Sequence, residues 1–241
     1  MNGGPIIDHY DWAGGREAML RFGPDAGPVV IAALPLFEEA NRTRAFVVAV
    51  LRALAQQGIA SVLPDLPGTG ESPVETKDAG LLALREAYAA LAARLGVERP
   101  VHGIGIRSGC LLDGLAHLNG RWHLAPVTGD EVLRELWRVK QATAPNRHPF
   151  DLAALTGGED DTLELAGNAL SRDRMLAPLA TALPCPPAPD VRIARLASDP
   201  RPADVHLPGA PLWRRAEPGN DPALAQAVAA DIARWIATCA A

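Results

Sequence analysis

The chain has 241 residues, 48% hydrophobic and 21% charged, with a formal net charge of −5 and a mean hydropathy of +0.04. That profile fits one large α/β domain with a substantial core, and its acidic balance argues against nucleic acid or anionic lipid as a partner. Cys110, Cys185 and Cys239 are scattered and odd in number, so a reducing cytoplasmic location is expected. No stretch has the make-up of a secretory signal or a membrane span.

In chain order, "PVVIAALPL" (28–36) is a continuous apolar run, as in a strand buried on both faces. The next segment sets Phe46, Val50 and Leu54 on one helical face and closes at Gly58. "IASVLPDL" (59–66) returns as a second buried strand, followed by the loop "PGTGESP". A helix bearing Leu81, Leu84, Tyr88, Leu91 and Leu95 comes next, then the strand "VHGIGI" (101–106). This alternation predicts βαβ units and a mostly parallel sheet flanked by helices. "RWHLAPV" (121–127) reads as a further strand and 130–140 as a helix capped by Asp130. The Pro- and Gly-rich stretch beyond it holds a helix around 171–182. "VRIARLASD" (191–199) and "ADVHLPGAPLW" (203–213) read as the last strands. The final helix opens at Asp221-Pro222 and buries Leu224, Val228, Ile232 and Trp235. Residues 1–241 are expected to form a single domain, with 129–190 as a short cap inserted between the sixth and seventh strands.

The chemistry centres on "GIGIRSGC" (103–110). A strand runs into a turn flanked by small residues and then into a helix, the arrangement that presents a nucleophilic serine as G-x-S-x-G in α/β-hydrolases. Gly105 and Gly109 keep that spacing, but Arg107 stands at its centre. A guanidinium stays protonated and cannot attack; it can grip a carboxylate or phosphate, or pair with a carboxylate of the protein itself. Glu38 and Glu39, in "FEEANRTR" (37–44), are candidates for that pairing, though acids at a helix start also suit its dipole. Ser108 as a shifted nucleophile would need a small residue where Ile106 stands, so that reading ranks below the others. In register, Ser108 takes the place whose backbone N–H serves an oxyanion hole.

A serine triad also needs an acid and then a histidine. Asp199 follows the seventh-strand candidate, with Asp130 as the alternative acid, yet no histidine follows His206, so a charge-relay mechanism is not expected. "PDLPGTGES" (64–72) reads as structural, its glycines allowing turns of positive φ. Neither G-x-G-x-x-G nor G-x-x-x-x-G-K-[ST] is present, and no histidine or cysteine cluster has metal spacing, so no cofactor and no metal are expected.

Several stretches in the right order resemble one family, the type 2 hydrolase associated with the exosortase A system of bacterial exopolysaccharide loci. They are "PLFEEANRTR" (35–44), "LPDLPGTGES" (63–72), "GIRSGCLL" (105–112), "LAPVTGDEVLRELWRVK" (124–140), "LELAGNALS" (163–171) and "PLWRRAEPGNDPAL" (211–224). The resemblance implies an α/β-hydrolase fold, a hydrolase label and an arginine as a usual occupant of position 107. It is weakest across 143–160 and at Arg214 and Arg215, where uncharged polar residues are usual.

Together these readings predict a crevice lined by Phe37, Glu38, Glu39, Arg107, Ser108, Asp199, Trp213 and Glu217. Arg107, Ser108 and Asp199 are the candidates for chemistry and the rest for binding. Three activities follow: a degenerate or non-serine hydrolase acting on an ester, acyl or glycan-linked group; a catalytically inactive binding or scaffold protein that holds an anionic ligand; and, ranked last, a serine esterase using Ser108.

Overall fold

A computed structural model describes residues 4–144, 148–158 and 160–239, and it opens on a hairpin absent from the sequence expectations. β1 (Ile6–Trp12) and β2 (Gly15–Phe22) pair antiparallel, from Ile6 opposite Arg21 to Trp12 opposite Gly15. β1 buries only Tyr10, and β2 buries Glu17 beside Met19 and Phe22, so neither carries a clean apolar alternation.

The anticipated units follow: β3 (Val29–Ala33), α1 (Glu38–Gln56), β4 (Ala60–Pro64), α2 (Leu81–Gly96), β5 (Val101–Ile106) and β6 (Gly120–Leu124). Next come α3 (Gly129–Thr143), α4 (Leu152–Thr156) and a small hairpin of β7 (Thr162–Leu165) and β8 (Asn168–Ser171). A π-helical turn (Arg172–Leu176) leads into α5 (Ala177–Ala180), and β9 (Val191–Leu196), β10 (Val205–Leu207) and α6 (Pro222–Cys239) complete the chain. The main sheet runs β1-β2-β4-β3-β5-β6-β9-β10. It is parallel from β4 through β10, with β1 and β2 antiparallel at one edge.

Alternation along β3 explains the layers. Val29, Ile31 and Ala33 face a core shared with α2, α3 and the hairpin region, whereas Val30 and Ala32 face one shared with α1 and α6. Burying one leucine or phenylalanine this way contributes about 1.5–3 kcal/mol, so two faces of such residues hold the sheet in register.

Three local expectations need correction. The cap of α3 is Thr128, not Asp130: its Oγ1 accepts from the Glu131 N–H at 3.3 Å while Glu131 Oε2 accepts from the Thr128 N–H at 2.7 Å. Asp130 sits inside the first turn and pairs with Arg134. The strand expected over 203–213 shrinks to Val205–Leu207, because Pro208, Gly209 and Pro211 break the ladder and Leu212–Arg214 turn as a 3-10 helix. The helix expected around 171–182 is the π-helical turn plus the four residues of α5. Asp221 does cap α6, its Oδ1 accepting from the Leu224 N–H at 3.0 Å.

Candidate functional site

The site is built by the turn that leaves β5. Arg107 has φ 54°, a left-handed conformation that is rare for a long side chain. The flanking glycines are demanded by contact. A Cβ on Gly105 would lie 2.8 Å from the Cys110 Cα, and one on Gly109 would lie 2.4 Å from the Ala33 carbonyl oxygen. The chain therefore turns sharply with its backbone pressed against β3, and the Arg107 side chain projects at the carboxyl end of the sheet.

There the guanidinium meets Glu39 bidentately. Nε donates to Oε2 and Nη2 to Oε1, each at 3.2 Å, and both side chains keep 17% exposure. The guanidinium carbon lies 5.1 Å from the centroid of the Trp213 ring, a cation–π contact that fixes its plane. Of five guanidinium N–H donors, Glu39 takes two. Arg107 also lines a groove with Arg42, Arg138, Arg214 and Glu135, and a neighbouring one that includes Asp199 and Arg201. Arg42 is tied to the Trp213 carbonyl oxygen at 3.1 Å and Arg138 to Glu135. Arg214 is exposed and has no ion-pair partner among the described residues.

Ser108 is buried, and its Oγ accepts a hydrogen bond from the Leu36 N–H at 2.8 Å. No histidine bonds to it. His123 is buried against Asp113 (Nε2 to Oδ2, 2.8 Å), His206 meets the Arg201 carbonyl oxygen, and His102 packs edge-on against Trp235. Burial holds the His102 imidazole below its ordinary pKa, which favours the neutral ring. Burial also pushes the thiol of Cys110, two residues past Ser108, well up, away from the reactive thiolate.

Asp199 lies in the same groove but is already engaged. Arg201 grips it through Nη2 at 2.8 Å and Nε at 3.0 Å, and Arg195 through Nη1 at 3.0 Å. Against the smaller effect of burial, these bonds and the Arg201 N–H hold its carboxyl below the usual carboxylate range. Glu38 makes no bond to Arg107 and lines a different cavity together with Phe37, which holds φ 60°, ψ −138° at the start of α1. Glu217 is exposed and outside the residues that line the groove. Arg42, Arg138 and Glu135 were not anticipated. The i, i+3 spacing of Glu39 and Arg42 was the available signal, since it puts both on one face of α1.

"PDLPGTGES" is tied down by its own hydrogen bonds. Asp65 accepts from Arg44 Nη2 at 3.2 Å and from the Glu71 N–H at 3.1 Å, and Ser72 Oγ ties Gly68 and Val74 to Glu17. Among the described residues no three His, Cys, Asp or Glu side chains gather as a metal site, and no helix is long and apolar enough to cross a membrane.

No family model and no curated protein matches the sequence. Solved structures do match. Est1E from Butyrivibrio proteoclasticus, solved with ferulic acid bound, superposes with a TM-score of 0.59 at 15% identity, over 95% of this chain and 99% of its own. A protein of Agrobacterium vitis S4 assigned to the hydrolases gives 0.54 at 15% identity, over 97% and 98%. The chain has the α/β-hydrolase fold. The epoxide hydrolase VrEH1 from Vigna radiata gives 0.43 at 18% identity over 59% of this chain, which spans only 50% of that enzyme's length. At such identities the likeness concerns the hydrolase fold alone.

Proposed function

We propose that this chain uses the α/β-hydrolase scaffold to hold an acyl or anionic ligand at the Arg107 groove without serine hydrolysis, within the exosortase A system that its motifs resemble. One observation carries the reading. At the turn where the fold would present an attacking hydroxyl, a permanent cation is clamped to Glu39 and stacked on Trp213. Ser108 next to it is a poor nucleophile for two physical reasons: its Oγ accepts from the Leu36 N–H, and no imidazole takes its proton. Asp199, the candidate triad acid, is bound to two arginines. On this reading the triad is degenerate, and 129–190, between β6 and β9, is the cap.

Anion binding is what the groove's chemistry suits. Among the described residues Arg107 keeps unused donors in a planar fork matched to carboxylate or phosphate, and Arg214 adds a charge with no ion-pair partner. The test pairs a fluorophosphonate probe with thermal melting in acetate and in inorganic phosphate. The expected result is an unlabelled Ser108, no turnover of p-nitrophenyl acetate, and a stabilisation by the anions that disappears in Arg107→Ala. Labelled Ser108, or ester turnover that Ser108→Ala abolishes, overturns the reading.

A further inference from the structure

On the far side of the Leu36–Phe37 loop lies a separate cavity of about 370 Å³ that does not touch Arg107. In the strand order β4-β3-β5, the chain steps from β3 to one side and later returns to the other, so direction reverses between β3 and β5. The crevice outside the carboxyl ends of strands at such a point is where open α/β sheets hold ligands. The cavity lies beside that crevice, at the carboxyl ends of β3 and β4, walled by the end of β3, the loop after β4 and the first turns of α1.

Its interior and its mouth differ in chemistry. Leu66, Ala79, Leu84, Leu112 and Met175 make an apolar interior, at a volume typical of small-molecule sites. Met175 comes from the π-helical turn, a rare backbone form that is frequent at functional sites, and its thioether adapts to irregular ligands. Phe37, another wall residue, holds the strained positive φ noted above, and such strain persists where surrounding structure enforces it. At the mouth stand Thr76 and two exposed carboxylates, Glu38 and Glu71, neither with an ion-pair partner among the described residues. Arg44, which also lines the cavity, pairs with Asp65 through one nitrogen, so its charge is matched by a carboxylate other than Glu38 and Glu71. The uncompensated charge at the mouth is therefore negative, the opposite of that on Arg214.

We infer that this cavity is a binding site for a small amine-bearing amphiphile, its apolar body seated against Leu112 and Met175 and its ammonium group at the Glu38 and Glu71 mouth. The inference goes beyond the Arg107 reading and is independent of it.

Hexylamine, 1-hexanol and hexanoate form a matched set of probes, titrated calorimetrically at neutral pH and low ionic strength into the wild type and into Arg107→Ala. Hexylammonium is expected to bind saturably, hexanol about fivefold more weakly, as one opposite-charge contact in water allows, and hexanoate weakest. Glu38→Gln combined with Glu71→Gln, or high salt, should erase the preference for the amine. Met175→Trp should fill the chamber and Thr76→Trp should block its mouth; if the first does not fold, the second, at an exposed position, decides. Arg107→Ala should leave hexylamine binding unchanged. The inference is overturned if no probe binds saturably, if hexanoate binds as tightly as hexylammonium, if binding survives in a folded Thr76→Trp protein, or if Arg107→Ala abolishes it.

Discussion

Two arginine–carboxylate clusters in this molecule look alike and behave differently. Asp231 on α6 is 2% exposed, and both its oxygens are saturated. Oδ2 accepts from Trp122 Nε1 at 2.9 Å and Arg192 Nε at 2.8 Å, and Oδ1 from Arg192 Nη2 at 3.0 Å and Arg234 Nη2 at 3.2 Å. Glu39 takes a single bond on each oxygen, both from Arg107, and the pair lies half-open to a groove. The first cluster uses up its carboxylate's acceptor capacity to fasten α6 onto β6 and β9. The second leaves donors over. On the proposed reading, that unused hydrogen-bonding capacity beside solvent is what would let the second cluster hold a ligand.

The sharpest way to break this comparison is Asp231→Ala. Orphaning a buried indole N–H and a half-buried guanidinium should lower stability by about 3–5 kcal/mol, read by urea unfolding; a loss no larger than that of a surface pair would erase the distinction. Glu39→Gln, whose amide oxygen can still accept from Arg107, should cost only about 1 kcal/mol. By freeing the Arg107 fork it should also raise the affinity for inorganic phosphate. If phosphate binding falls instead, Glu39 is part of the ligand site and not a competitor for it.

The smallest effect concerns acid. For Asp231 burial opposes ionisation, but the bonds from Arg192 and Trp122 prevail and lower its pKa, and Asp199 is lowered chiefly by Arg201. Folded values below the unfolded carboxylate range mean that this stability is complete above the unfolded pKa. It is lost as pH falls through the folded one, beginning below about pH 5. Asp199→Asn should therefore flatten the acid limb of a stability-versus-pH curve while leaving its neutral plateau shape unchanged. An unaltered acid slope would remove Asp199 from the account.

The fold was legible wherever burial was complete on both faces. "VVIAA" and "VHGIGI" announce themselves because a strand between two helical layers has no polar side. The two hairpins were not. β1 shows one buried residue, and the β7–β8 turn uses Ala166-Gly167, both at positive φ, where an Asn-Gly pair would have been the readable signal. At the site, the glycine spacing exposed the sharp turn and the choice between Glu38 and Glu39. The rest of the groove depends on α3 and the 3-10 turn after β10 meeting across the sheet, which no local pattern encodes.

The Ser108–Leu36 hydrogen bond bears on any attempt to convert this protein into an esterase. Writing serine at position 107 would supply an attacking group at the right bend of the chain, yet the neighbouring hydroxyl already occupies a backbone N–H of the loop that hydrolase folds draw on to steady a developing negative charge. A re-engineered enzyme would have to import a histidine, release Asp199 from its arginines and empty that amide as well. Position 107 is thus the last change to make in such a redesign, since by itself it supplies only the attacking group.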